Sequence, residues 1–476
     1  MTTGVMTTGK AIGFSRRRMM FGRFKKMFFV GIGGAGMSGI AEILHNLGYE
    51  ICGSDIATGE VQDYLASLGV TVYNEHQAAN LRDSEVVVIS SAVGEDNPEV
   101  VEARRRGLPV IKRAEMLGEI MRLKFSIGVS GTHGKTTTTS MIGRILQRAD
   151  YQPTIIVGGI VAGLGTGAAL GSGDYLVAEA DEYDRSFLSM FPSVAVVTNL
   201  ESDHLDCYDG MDDLVESFLT YMNCVPFYGL VVISADDENL LKLRQKITRP
   251  YVTFGFDPES DYRALVDRME PGRSVFSVFY RGELLGEAVL HVPGLHNVAN
   301  ALAAIATCHQ LEVPFHTIVD GLLDFGGVSR RFEIVGESND IMVVDDYAHH
   351  PTEIKATIRT AKEVYDRRLV VVFQPHLYSR TQDFAPQFAE ALAEADKCLL
   401  VDIYPAREKP IEGVTSELIV RSAQTQGIGD LACVGSIGEA VEAARKVVQR
   451  GDIVITMGAG SITSIRYDLL EAMKRI

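Results

Sequence analysis

From Met27 onward, short apolar runs alternate with longer amphipathic stretches rich in Ala, Leu and Glu, and this rhythm occurs three times. The runs MFFVGIGG, YEICGSD, VTVYN, EVVVISSAV and LPVIKR, each bounded by Gly, Asp or Ser, predict strands between residues 27 and 122. Near-continuous apolar runs suit parallel strands covered on both faces and joined by helical crossovers. A second series starts at Phe125 with FSIGVSG, TIIVGG, YLVAEADE, SVAVVTNLESDH and GLVVISADD. It then changes texture: SVFSVFYRGELLGEAVLHV alternates with period two about Arg281-Gly282, which predicts an antiparallel hairpin added to the unit. The helical segment HNVANALAAIATCHQL closes it. A third series, starting near Val335, runs through DIMVVDDYAHH, RLVVVFQPH, KCLLVDIYP, LACVGS and GDIVITMGAGS. The expected architecture is α/β in three domains, at 27–122, 123–334 and 335–476.

Length agrees, since 476 residues at roughly 150 per domain make about three. A net charge of −17 argues against a nucleic-acid partner, which would need basic surface to displace counterions from phosphates. No apolar run reaches the roughly 18 residues of a membrane helix, so membrane insertion is not expected. Cys52, Cys207, Cys224, Cys308, Cys398 and Cys433 form no C-x-x-C pair and read as reduced thiols of a cytoplasmic protein. Residues 1–26 carry seven basic side chains and no acid, with no apolar segment of a secretory signal, and read as a disordered basic tail; an organellar transit peptide is the alternative.

Two glycine-rich turns carry chemistry. Gly31-Ile32-Gly33-Gly34-Ala35-Gly36 lies between a predicted strand and a predicted helix, where glycines let the backbone approach a diphosphate at the helix N-terminus. Asp55, nineteen positions past Gly36, ends the next strand, where an acid binds ribose hydroxyls. NAD is the default ligand for this spacing, and another nucleotide satisfies it equally. The second turn is Gly131-Thr132-His133-Gly134-Lys135-Thr136-Thr137, again between strand and helix. Such a loop cradles phosphates with its N–H groups, its Lys reaches the β/γ oxygens and its first hydroxyl ligates Mg²⁺. It departs from the common P-loop spacing, because Val129 stands where the first Gly is usual.

The strand ends that follow are acidic: Glu179, Asp181, Glu182 and Asp184 in one, Glu201, Asp203, His204 and Asp206 in the other. Two or three of these are expected to hold Mg²⁺, the rest being solvated turns. Two further clusters are His296, Asn297 and Asn300 in GLHNVANA, and Arg330-Arg331 followed by Asp345-Asp346-Tyr347-Ala348-His349-His350-Pro351-Thr352-Glu353. Paired His after paired Asp reads as strand-end ligand contacts or as a metal site.

GIGGAGMSGIAEIL, GTHGKTTTTSM, AEADEYDRSFL, TNLESDHLD, PGLHNVANA, SRRFE and DDYAHHPTEI occur in that order, and from about Met27 to the C-terminus the chain resembles the bacterial Mur ligases. The resemblance implies a Rossmann-like, UDP-sugar-binding N-terminal domain, a P-loop ATPase-like central domain with added antiparallel strands, and a Rossmann-like C-terminal domain that closes over the site and binds the amino acid. It implies an ATP- and Mg²⁺-dependent ligase joining L-alanine to the lactyl carboxylate of UDP-N-acetylmuramate, acting as a monomer or homodimer. A recycling relative that adds a tripeptide to the same sugar is the alternative.

Carried over by motif, Gly31, Gly33, Gly34 and Gly36 are expected on the UDP diphosphate; Asp55 is expected near the UDP, and Ser90, Ser91 and Arg113, at the fourth and fifth strand ends, offer polar contacts for the sugar or the uracil. Gly131 to Thr137, His296, Asn297, Asn300, Arg331 and Asp346 are expected on ATP, with Lys135, Glu179, His204 and Arg331 catalytic. Thr136, Glu179 and His204 match magnesium positions, and His349, His350 and Arg380 an amino-acid pocket. Several relatives carry a carbamylated lysine about fifteen residues after the magnesium histidine. Here 207–241 contains no Lys, which agrees with the alanine-adding branch.

Overall fold

The computed structural model describes residues 24–57, 59–90, 92–158, 168–202, 207–406 and 408–476. Most of the basic leader, Ser91, and the expected magnesium residue His204 therefore lie outside the described residues. The chain divides into two compact units between Leu123 and Lys124.

The first unit holds one sheet in the order Thr71–Tyr73, Glu50–Ser54, Lys26–Val30, Val86–Ile89, Val110–Lys112. Every pairing is parallel. This is the Rossmann-like order, in which the first strand is central and a crevice opens at the carboxyl ends beside it. The first strand starts at Lys26, one residue ahead of the expected Met27, because Lys26 pairs with Glu50. The Glu85 carboxylate also accepts the N–H of Lys25 at 2.6 Å and of Lys26 at 3.0 Å. The core is aliphatic and aromatic, with Phe28, Val30, Val87 and Val100 fully buried.

One carboxylate is buried with them. Glu99, fully buried on the helix Pro98–Arg105, accepts from Ser54 Oγ at 2.5 Å, Asn80 Nδ2 at 2.8 Å and the Gln77 N–H at 3.2 Å. It also meets His76 Nδ1 at 3.0 Å. A buried acceptor so satisfied is destabilising when replaced by a group that donates. Glu99→Gln turns one oxygen into an NH₂ facing donors, and is expected to cost this unit about 2 kcal/mol, read as a lowered urea midpoint. An unchanged midpoint would contradict the network.

The second unit carries two sheets. The larger runs Glu283–Leu290, Arg273–Tyr280, Tyr262–Glu270, Tyr251–Gly255, Leu230–Ser234, Val194–Val197, Phe125–Ser130, Tyr175–Glu179, Thr154–Ile156, Ala168–Ala169. The expected hairpin forms, turning at Arg281-Gly282, both with positive φ. A third antiparallel strand, Tyr262–Glu270, joins it and connects it to the parallel part through Tyr251–Gly255. The C-terminal sheet runs Glu333–Ser338, Ile341–Asp346, Ile453–Met457, Leu369–Phe373, Lys397–Val401, Leu431–Gly435. All its pairs are parallel except the edge strand Glu333–Ser338. The described residues thus form three sheets, each within α/β structure, as the pattern predicts. Among the described residues no helix is long and apolar enough to cross a membrane.

Candidate active site

The central strand Phe125–Ser130 lies between Val194–Val197 and Tyr175–Glu179, so three strand ends converge on the turn that follows it. From that turn the helix Lys135–Arg148 starts at Gly134, which is left-handed (φ 83°) and supplies no side-chain cap. The first-turn N–H groups have no capping side chain, an arrangement that suits an anion. Both glycines of the turn are needed for close approach. A Cβ on Gly131 (φ 133°) would run into Thr198 Oγ1, and one on Gly134 into Asn300 Oδ1.

The turn has fewer free N–H groups than the motif suggests. Asn199 Oδ1 accepts the His133 N–H at 2.8 Å, and the Asn199 carbonyl accepts that of Thr132 at 3.3 Å. The donors left for an anion begin at Gly134. Nothing in the sequence marks Asn199, which fastens the turn from 66 positions away.

Lys135 is turned back. Its Nζ donates to the Gly131 carbonyl at 2.7 Å and to Glu182 at 2.8 and 3.0 Å, with Asp181 at 3.6 Å. Burial pulls its pKa down, but Glu182, Asp181 and Glu179 outweigh that and hold it as an ammonium. Beside it, Glu179 keeps a buried oxygen with no hydrogen-bond partner among the described residues. Burial pushes Glu179 above the usual carboxylate range, opposed first by the Thr136 hydroxyl. An orphaned carboxylate oxygen next to a hydroxyl is a hard-oxygen pair that fits Mg²⁺.

Of these groups Thr136 lines a pocket whose walls come from both parts of the second unit. His133, Gly134, Thr136 and Thr137 line it from the turn, and His296, Asn297 and Asn300 from the start of the helix Leu295–Gln310. Arg331, Asp346 and Glu353 line it from the C-terminal side. Asn297 Nδ2 also donates to the Pro293 carbonyl at 2.7 Å, which leaves its carbonyl oxygen for the pocket. Asp346 accepts the N–H groups of Phe332 and Ala348, at 2.7 and 2.8 Å. Burial pushes Asp346 up to about 6, opposed by Arg331. The Arg331 guanidinium lies over the Tyr347 ring at 5.1 Å.

His133 sits between two carboxylates, Nδ1 at 3.2 Å from Glu353 and Nε2 at 3.6 Å from Glu201. Burial lowers its pKa, yet the two acids together lift it to about 9. His349 and His350 precede the helix Pro351–Tyr365. The His349 ring meets His376 edge-on at 5.7 Å, and His350 lies 5.1 Å from His133. Arg380 is buried in the first turn of the helix Tyr378–Leu392, four residues past His376. Sequence reasoning overlooked His376, which the QPH string contained.

In the first unit the glycine turn gathers its expected companions. Asp55 Oδ2 accepts the Gly33 N–H at 2.8 Å, so the acid fastens the turn itself. A Cβ on Gly33 would strike the Gln62 amide and come within 2.9 Å of Asp55. One on Gly36 would meet Arg113 at 3.0 Å, and one on Gly31 (φ 79°) would meet Ser90 at 3.1 Å. Gln62 is a neighbour the sequence did not suggest.

A glycine turn opening a helix on a parallel sheet, beside an orphaned acid and an arginine from the next sheet, defines a nucleotide-using enzyme of the P-loop type. Three family models match the chain: Mur ligase family, catalytic domain, over 26–125; Mur ligase middle domain over 129–308; and Mur ligase, glutamate ligase domain, over 330–460. The chain belongs to the Mur ligase family. It is 48% identical over 456 residues to a UDP-N-acetylmuramate–L-alanine ligase of Geobacter sp. (strain M21), covering 96% of this chain and 99% of that one. Among solved structures it is similar to the UDP-N-acetylmuramate-alanine ligase of Thermotoga maritima, with TM-score 0.79 and 32% identity over 94% of this chain and 99% of that one. It also resembles a murein peptide ligase of Psychrobacter arcticus, with TM-score 0.68 and 28% identity over 94% and 99%.

Proposed function

We propose that this chain is the ATP-dependent ligase that joins L-alanine to the lactyl carboxylate of UDP-N-acetylmuramate, giving UDP-N-acetylmuramoyl-L-alanine, ADP and phosphate for peptidoglycan synthesis in the cytoplasm. The observation that carries it is the pocket in which the 131–137 turn, the Leu295–Gln310 helix and Arg331 converge, in a chain 48% identical to a ligase of that name. The tripeptide-adding alternative is less favoured, because the murein peptide ligase is the more distant relative at 28% identity.

A carboxylate is a poor electrophile, so its oxygen must first take a phosphoryl group and carry it as a leaving group. The helix N-terminus at Gly134–Thr137 binds the phosphates, and Lys135 and Arg331 meet charge growing on the transferred group. Thr136 and Glu179, with His204, would hold magnesium, which when bound draws charge off the β- and γ-oxygens. His296, Asn297, Asn300 and Asp346 orient the nucleoside. His349, His350 and Arg380 hold the amino acid whose amine attacks the activated carbonyl, releasing phosphate. The domains 27–122, 123–334 and 335–476 serve UDP-sugar, ATP and amino acid in turn, with Gly31, Gly33, Gly34, Gly36, Ser90, Ser91 and Arg113 on the UDP-sugar.

The test uses ¹⁸O in the lactyl carboxylate. Phosphoryl transfer from the γ position is expected to leave label in inorganic phosphate and to yield ADP. Labelled AMP would refute it. A panel of acceptors in the same assay is expected to favour L-alanine over the tripeptide.

A further inference from the structure

Glu353 has more contacts than its position in the chain requires. It is the third residue of the helix Pro351–Tyr365, where a carboxylate caps the N-terminus, and one oxygen does that: Oε2 accepts the N–H of His349 at 3.0 Å and of His350 at 3.3 Å. The same oxygen lies 3.1 Å from His349 Nδ1. The other oxygen points elsewhere, 3.2 Å from His133 Nδ1 of the glycine turn and 3.4 Å from Arg331 Nη1. The side chain is only 10% exposed. A second bridge runs beside it, where Thr352 Oγ1 donates to Glu201 at 2.6 Å, and Glu201 in turn faces the far nitrogen of the same histidine.

We propose that Glu353 is a positioning residue for phosphoryl transfer, its outer oxygen fixing the Arg331 guanidinium and the His133 ring in one arrangement across the border between the central and C-terminal sheets. This rests on the ligase reading above. Arg331 also has the face of Tyr347 at 5.1 Å and feels the charge of Asp346, while Glu353 accepts a hydrogen bond from it and so sets its direction. A guanidinium that must meet charge only in the transition state is effective when its direction is set beforehand. The His133 ring belongs to the turn that binds phosphate, so one carboxylate ties the phosphate-binding turn to the arginine that approaches from the other sheet. Glu353 stays ionised there: burial would raise its pKa, but His349 and His133 hold it well below the usual range.

The competing role is a helix cap alone, and Glu353→Gln separates the two. Gln caps at this position as Glu does, since its carbonyl can accept the same N–H groups, while the charge facing Arg331 and His133 is lost. Glu353→Asp keeps the charge on a shorter arm. In the full-length enzyme, Glu353→Gln is expected to lower kcat about thirtyfold with KM for ATP changed less than about threefold, the signature of an interaction made in the transition state. Its melting temperature is expected to fall by no more than about four degrees, since an acceptor facing donors is lost in a large unit, and Glu353→Asp to recover part of kcat without a matching gain in melting temperature. Wild-type kcat in Glu353→Gln, a change confined to KM, or a loss of kcat that tracks melting temperature in both variants would each overturn the proposal. Failure of the ligase reading shows up separately, as wild-type enzyme that releases no phosphate on addition of alanine and UDP-N-acetylmuramate.

Discussion

Lys135→Ala is expected to lower ligation more than a hundredfold, equivalent to about 3 kcal/mol or more of transition-state stabilisation. In the structure Lys135 is not extended into the pocket but folded onto Glu182 and the Gly131 carbonyl. Phosphate oxygens entering at the helix N-terminus offer the ammonium stronger partners than a carbonyl, and the side chain is long enough to exchange one set for the other. Removing it leaves the buried Glu182 and the half-buried Glu179 beside Asp181 without their ammonium, so the substitution also favours their protonation. Phosphate release at saturating substrates measures the loss. Calorimetry with UDP-N-acetylmuramate checks that the sugar still binds, because residues 31–36 belong to a separate compact unit. Turnover near the wild-type rate would remove Lys135 from the mechanism.

Gly33→Val is expected to weaken UDP-N-acetylmuramate binding about a hundredfold while ADP binding is unchanged. Its Cβ would meet Asp55 at 2.9 Å and collide with the Gln62 amide, so the turn must open, losing the Gly33 N–H bond to Asp55. A diphosphate depends on that turn being tight enough for backbone N–H groups to reach it. Titration of wild type and variant with both UDP-N-acetylmuramate and NAD is the measurement. Undiminished sugar binding in the variant, or NAD binding that only the variant loses, would place a different ligand on the turn.

Both expectations begin from contiguous strings, and that is the part of the site the chain discloses without coordinates. The 31–36 and 131–137 turns are legible because glycine, lysine and hydroxyl residues act there through local backbone geometry, and the parallel strands because burial on both faces leaves unbroken apolar runs. Asn199, Gln62 and the outer oxygen of Glu353 act through partners between 22 and 220 positions away, and no local pattern encodes such pairings. The strand Tyr262–Glu270 was hidden for a related reason. It reads YRALVDRME, with charged residues on an exposed face of the added sheet, so its apolar residues fall short of a clear alternation. Glu333–Ser338 is an edge strand with a mostly half-exposed pattern, and pairs antiparallel in a sheet whose other members declare themselves as parallel. Asp55 follows its strand as the spacing predicts, and its bond to Gly33 is a tertiary choice that strand-end position does not reveal.

The bridges from the glycine turn to the C-terminal sheet have a thermal consequence. His133 with Glu353 and Thr352 with Glu201 are ionic or polar, and the apolar clusters on either side, around Ile127 and Val196 and around Val344 and Phe373, are separate from each other. Parting the two sheets at these contacts would hydrate charges more than hydrocarbon. The heat capacity of opening would then be small, and its enthalpy nearly constant with temperature, unlike the unfolding of either core. With its charges largely buried, such a joint is little screened by salt while it stays closed, and parting it would wet ions rather than an apolar surface.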